Sequence, residues 1–107
     1  MINDELTKAQ KRELRRIVGL AYERELGAAL APLEDQFRRW RAGELGAHDV
    51  SEAIHAFHQG ASRKLWSRYN ADTYLVAVGA IASGIVAQHE VAADLMAILK
   101  RGLAAFE

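Results

Sequence analysis

Residues 73–87 form a run of fifteen without a formal charge. Within it Tyr74, Leu75, Val76, Val78, Ile81, Ile85 and Val86 spread apolar bulk around the whole circumference of a helix. A helix that is apolar all round must be covered on every side. In a chain of 107 residues the cover has to come from the remaining segments, which means a helical bundle around one core. The run is shorter than the ~20 residues that cross a bilayer, and Gly79, Ser83 and Gly84 dilute it. A central helix over about 72–88 is therefore predicted, with no membrane partner. Ala77, Ala80, Gly84 and Ala87 share a strip on which another helix can approach closely.

The flanking segments supply that cover as helices. Alanine is abundant, proline occurs once, and no stretch sustains the alternation of a strand. Leu14, Ile17, Val18, Ala21 and Ala28 fall along one face of a first helix. Leu26, Leu30, Leu33, Phe37 and Trp40 then repeat at steps of four and three, a heptad-like series. Gly27 and Pro32 interrupt this region. Because the apolar spacing continues across Pro32, one long kinked helix over about 4–42 is expected, the alternative being a second helix with Pro32 in its first turn. At full length it would reach ~58 Å and overhang a small bundle, which invites a symmetric partner.

After a loop at residues 43–47, Asp49 with Glu52 three positions on has the form of a capping box and predicts a helix over about 49–69. Its stripe is Val50, Ile54, Phe57, Ala61 and Leu65, with Gly60 as a weak point. Asn70, Ala71 and Asp72 end it and cap the central helix. A last helix over about 90–105 follows the turn at Gln88, His89 and Glu90. It carries Val91, Leu95, Ile98, Leu99, Leu103 and Phe106 on one face, with Lys100 and Arg101 complementing the dipole near its end. The expected fold is all-α without strands, about four helices in a single domain over 1–107.

Charge and cysteine content narrow the function classes. Basic and acidic side chains balance at 14 each, so no global field draws the chain to nucleic acid, and such binding would have to be local. Cysteine is absent, which excludes disulfides, thiolate nucleophiles and Cys-ligated zinc. The acidic, polar start lacks the form of a signal peptide, and a cytoplasmic location is the expectation.

Several constellations have the residue types of a site. Glu52, His55 and His58 repeat at intervals of three, the spacing of helical carboxylate–histidine metal sites. They are the metal candidates, with His48 or His89 as additional ligands. The apolar stripe turns His55 away from the core, which fits a solvated histidine equally. Asp49, Ser51 and His55 supply the residue types of a hydrolytic triad without a glycine-rich elbow or evident oxyanion donors. Arg41 and His48, with six residues between them, resemble in spacing the Arg-to-His motif of HEPN-type ribonucleases, which are also helical bundles. The resemblance covers those two residues, and the segment between them holds two glycines and reads as a loop.

Two basic clusters, Lys8, Lys11, Arg12, Arg15 and Arg16, and Arg63, Lys64 and Arg68 beside Trp66 and Tyr69, could meet phosphates or form solvated helix faces. Glu25 lies on an otherwise apolar face and requires a cationic partner or an exposed groove. Trp40, Trp66, Arg63 and Tyr69 have the composition of an interface hot spot. The expectation is a non-enzymatic interaction module, a helical homodimer or a small adaptor, inhibitor or antitoxin-like partner, with no cofactor. The alternative is a metal-binding or hydrolytic bundle using Glu52, His55 and His58. Local nucleic-acid binding comes third.

Overall fold

The first helix, α1, starts where a local side-chain exchange stops the chain from fraying. In the computed structural model, which describes residues 6–106, Thr7 caps α1 (Lys8–Arg41) and Gln10 answers it. The Thr7 hydroxyl accepts from the Gln10 N–H and the Gln10 side chain accepts from the Thr7 N–H, each at 3.0 Å. The start expected near Asp4 falls outside the described residues. Helix α1 runs unbroken through Pro32, so the alternative of two helices does not hold. Pro32 and Ala28 are both exposed, and water can satisfy the Ala28 carbonyl that the proline leaves without an N–H.

At its other end α1 closes on Gly43, whose φ of 80° lies in the left-handed region. The Glu44 N–H bonds the Arg39 carbonyl and the Gly43 N–H bonds that of Trp40, the paired bonds of a Schellman motif. This reversal sends the chain back along α1 as a rod of three parts: α2 (Ala47–Phe57), a π-helical turn at His58–Ser62, and α3 (Arg63–Tyr69).

The cap of α2 differs from the expected one. Gly46, not Asp49, is the N-cap, and Asp49 occupies the third helical position, where its carboxylate accepts from the Gly46 N–H at 2.9 Å. Glycine supplies no reciprocal bond. A carboxylate at the third position still favours the positive end of the helix dipole, so the sequence signal was right in kind and displaced by three residues.

Asp72 caps α4 (Thr73–Ala82) through the Leu75 N–H, as expected. The helix ends earlier than residue 88. Gly84, with φ 81°, forms a second Schellman motif in which the Ile85 N–H reaches the Ala80 carbonyl and the Gly84 N–H reaches that of Ile81. The small-residue strip is thereby cut: Ala77 and Ala80 are buried, whereas Gly84 and Ala87 lie beyond the helix. A short 3-10 turn at Gln88–Glu90 leads into α5 (Ala93–Leu103) and a last 3-10 turn at Ala104–Phe106. The expected apolar contribution of the Phe106 side chain falls outside what is described.

The core sits at one end of α1. Ile17, Val78, Val86, Leu95 and Leu99 are fully buried, and Leu14, Ala21, Leu65, Tyr69 and Tyr74 close around them. α4 supplies Ala77, Val78, Ala80 and Ile81 to this cluster, but the helix is not covered on every side as its uncharged sequence suggested, since Leu75 is 63% exposed. Beyond about residue 26, α1 has only the α2 rod beside it. With 34 residues, α1 is ~51 Å long, and the molecule extends 55 × 27 × 23 Å. The result is a helical bundle with a two-helix arm. Among the described residues no helix is long and apolar enough to cross a membrane.

Candidate functional site

The arm leaves half of the heptad-like series uncovered. Leu26 and Leu33 are half-buried against the α2 rod, but Leu30 is 42% exposed, Phe37 37% and Trp40 41%, with Ile54 of α2 at 43%. Phe37 and Trp40 meet edge to face, ring centroids 6.4 Å apart. The Arg41 guanidinium lies 6.0 Å from the centroid of the Trp40 ring. A heptad stripe needs a neighbour on both flanks to bury its alternating positions, and α2 supplies one. Four large side chains left open this way expose on the order of 300 Å², as much as the largest patch on a typical monomer.

A second cluster forms where the π-helical turn passes α1. Tyr22, His58, Gln59, Ser62, Arg63 and Trp66 line a cavity of about 470 Å³. Tyr22 is fixed from behind by Tyr69, stacked at 4.9 Å with 5° between the planes. Tyr69 is buried, so it does not join Trp66 and Arg63 on an exposed interface as the sequence suggested; its ring belongs to the core. Burial, and then the neighbouring Glu25 carboxylate, push the Tyr69 phenol up to about 12. Trp66 itself is 59% exposed.

Glu25 finds its partner in Arg68 of α3, 2.9 Å away. This pair separates two shallow grooves. One, of about 620 Å³, includes Leu75, Val76, Gly79 and Ile85; the other, of about 360 Å³, includes Ala28, Ala29, Ala61 and Leu65. A second acidic residue, Glu90, ties α1 to the turn before α5. Arg24 grips both oxygens of Glu90 and also donates to the Ile85 carbonyl. The Glu90 carboxylate further accepts from the Ala87 N–H at 2.9 Å. The Arg24 bonds, then that backbone bond, hold Glu90 down to about 2.

The metal candidates do not converge. Glu52 and His55 are exposed on α2, and His58 lies in the π-helical turn on the rim of the Tyr22 cavity. His48 is exposed at the start of α2, and His89 is exposed in the 3-10 turn at Gln88–Glu90. Among the described residues no three His, Asp or Glu side chains are grouped to hold a metal ion. Of the triad types, Asp49 is committed to the Gly46 N–H, with Ser51 and His55 exposed further along α2. Arg41 ends α1 and His48 opens α2, so the two residues of the HEPN-like spacing stand on opposite sides of the Gly43 reversal.

The first basic cluster divides between surface and scaffold. Lys8, Arg12 and Arg15 are exposed, whereas Arg16 pairs with Glu13 and donates to the Glu90 carbonyl at 2.7 Å. Tyr22 is the residue that sequence reasoning missed. Its place at the cavity follows from the register of α1 against α3, which no local spacing carries. No protein-family model, curated protein or solved structure matches this chain.

Proposed function

We propose that this protein is a non-enzymatic interaction module that pairs with a second copy of itself through the open strip of its arm. The observation that supports this is the heptad-like series in which the Leu30 and Phe37 column is uncovered, and Trp40, which continues the half-buried column of Leu26 and Leu33, is uncovered as well. The charges beside the strip favour a second copy over an unrelated helix. Glu34 and Arg41 occupy equivalent positions one heptad apart, flanking Leu30 and Phe37. About a two-fold axis near Phe37, antiparallel arms set Glu34 of each copy toward Arg41 of the other, while a parallel pair would oppose like charges. The strip forms the apolar centre of such an interface, and the flanking polar residues form its rim.

The absence of native cysteine makes the test clean. A single cysteine introduced as Arg38→Cys, beside the axis, is expected to give a disulfide-linked dimer under mild oxidation, whereas Lys100→Cys on α5 gives none. Equal cross-linking at both positions, or at neither, contradicts the arm-to-arm arrangement. If the Arg38→Cys chain stays unlinked and the protein sediments as a monomer, the strip would instead serve a helix of another protein, the adaptor or inhibitor form of the same module.

A further inference from the structure

The π-helical turn at His58–Ser62 is not explained by core packing, since none of its five residues is buried. A β-carbon added at Gly60 would meet nothing within 4 Å, so no close approach requires the irregularity either. Turns of this kind are uncommon and cluster at functional positions. Here the turn and the start of α3 carry His58, Gln59, Ser62, Arg63 and Trp66 along one strip of the rod, facing Tyr22 across the cavity.

The lining has a definite chemical character. It contains no carboxylate. Among the described residues Arg63 makes no ion pair, a state it shares with Arg12, Arg15, Arg39, Arg41 and Arg101, and it alone of these lines the cavity. An aromatic ring stands on each wall: Trp66, largely exposed, and Tyr22, held flat by Tyr69. Gln59 and Ser62 add hydrogen-bonding groups that both donate and accept. A guanidinium without a carboxylate partner suits a phosphate or carboxylate, and two aromatic walls suit a flat ring. The space is about 470 Å³ and open to solvent, since none of its lining residues is buried, so a ligand there would be held on one side and remain partly exposed.

We propose that this cavity binds a small planar anion, an aromatic ring carrying a phosphate or a carboxylate. The ring packs against Trp66 and Tyr22, the anionic group meets Arg63 with His58 beside it, and Gln59 and Ser62 bond the ring's polar edge. This site is separate from the pairing strip, so its test stands whatever the oligomeric state.

Isothermal titration calorimetry of the full chain, with AMP as the phosphate probe and benzoate as the carboxylate probe, decides the matter. At least one is expected to give saturable binding at one site per chain. If AMP is the better probe, adenosine alone and inorganic phosphate alone should each bind at least about tenfold more weakly, because each keeps only half of the contacts. Arg63→Met and Trp66→Ala should each weaken binding by about tenfold or more while the helical circular dichroism is unchanged, both side chains being exposed. Should either variant lose structure, the shift of the Trp66 indole N–H resonance in the unaltered protein replaces it. That resonance is expected to move with ligand while the Trp40 resonance stays. No saturable response to either probe, or phosphate binding as tightly as AMP, overturns the proposal.

Discussion

Glu90 joins two separate parts of the chain through one carboxylate: Arg24 from α1, and its own turn ahead of α5, which it closes by accepting from the Ala87 N–H. Its folded pKa lies below the ordinary carboxylate value, so the stability it contributes is present above that value and lost as the pH falls toward 2. Glu13 acts in the same direction, lowered chiefly by its bonds with Arg16. Melting temperature should therefore drop between about pH 5 and pH 2, and Glu90→Gln should melt lower at neutral pH and show a shallower acid decline, as read by circular dichroism. An unchanged acid profile would remove this carboxylate from the account. A different prediction concerns Tyr74, whose hydroxyl is buried without a hydrogen-bond partner beneath Gly102. Removing an unsatisfied group is close to neutral or stabilising, so Tyr74→Phe should leave the denaturation midpoint equal or raise it. A β-carbon at Gly102 would lie 2.7 Å from that hydroxyl and 2.9 Å from a Val78 methyl. Gly102→Ala should accordingly cost about 1–3 kcal/mol in urea unfolding.

Helix ends carry the next set of consequences. Gly43 and Gly84 both hold left-handed backbone and close Schellman motifs, so alanine at either should cost roughly 1–2 kcal/mol. Gly60 is the contrasting case: its backbone is helical and the space beside it is open, so Gly60→Ala should raise stability by roughly 0.5–1 kcal/mol. The same elements show what could be read from sequence. The uncharged run announced α4 and a buried face of Tyr74, Ala77, Val78, Ala80 and Ile81, but not cover on every side, since Leu75 is 63% exposed; Asp72 announced its cap because the bond to Leu75 spans three residues. The end of α4 was placed too late because Ile85 and Val86 are apolar whether they continue the helix or, as here, follow it; Val86 is fully buried from outside. Thr7 and Gln10 formed a cap signal as legible as Asp49 and Glu52. It is masked because the residues before it also favour helix. α5 begins at Ala92 without a side-chain cap of its own, and Glu13 of α1 accepts its N–H at 2.9 Å. A cap supplied from so far along the chain leaves no local trace.

At the scale of the molecule, the bundle and the arm have different standing. One end of α1 is enclosed by α3, α4 and α5 and, among the described residues, holds all the fully buried large side chains; the other is a two-layer hairpin that leaves Leu30, Phe37 and Trp40 exposed. The heptad-like series from Leu26 to Trp40 was visible in the sequence, and so was the length of α1 through Pro32. Which half of that series would be covered was not, because it depends on the angle at which α2 returns from Gly43. The candidate cavity was legible only in part: Arg63 and Trp66 stood out by composition, whereas Tyr22 and the π-helical turn arise from tertiary register. On the proposed pairing, charged residues placed in the centre of this strip should separate the two copies without touching the core. The decisive measurement is sedimentation equilibrium of the unaltered chain beside the Leu30→Glu/Phe37→Glu double variant. The account predicts twice the chain mass for the first and a folded monomer for the second. A unaltered chain that remains monomeric up to the highest soluble concentration, or a double variant that still dimerises, would contradict it.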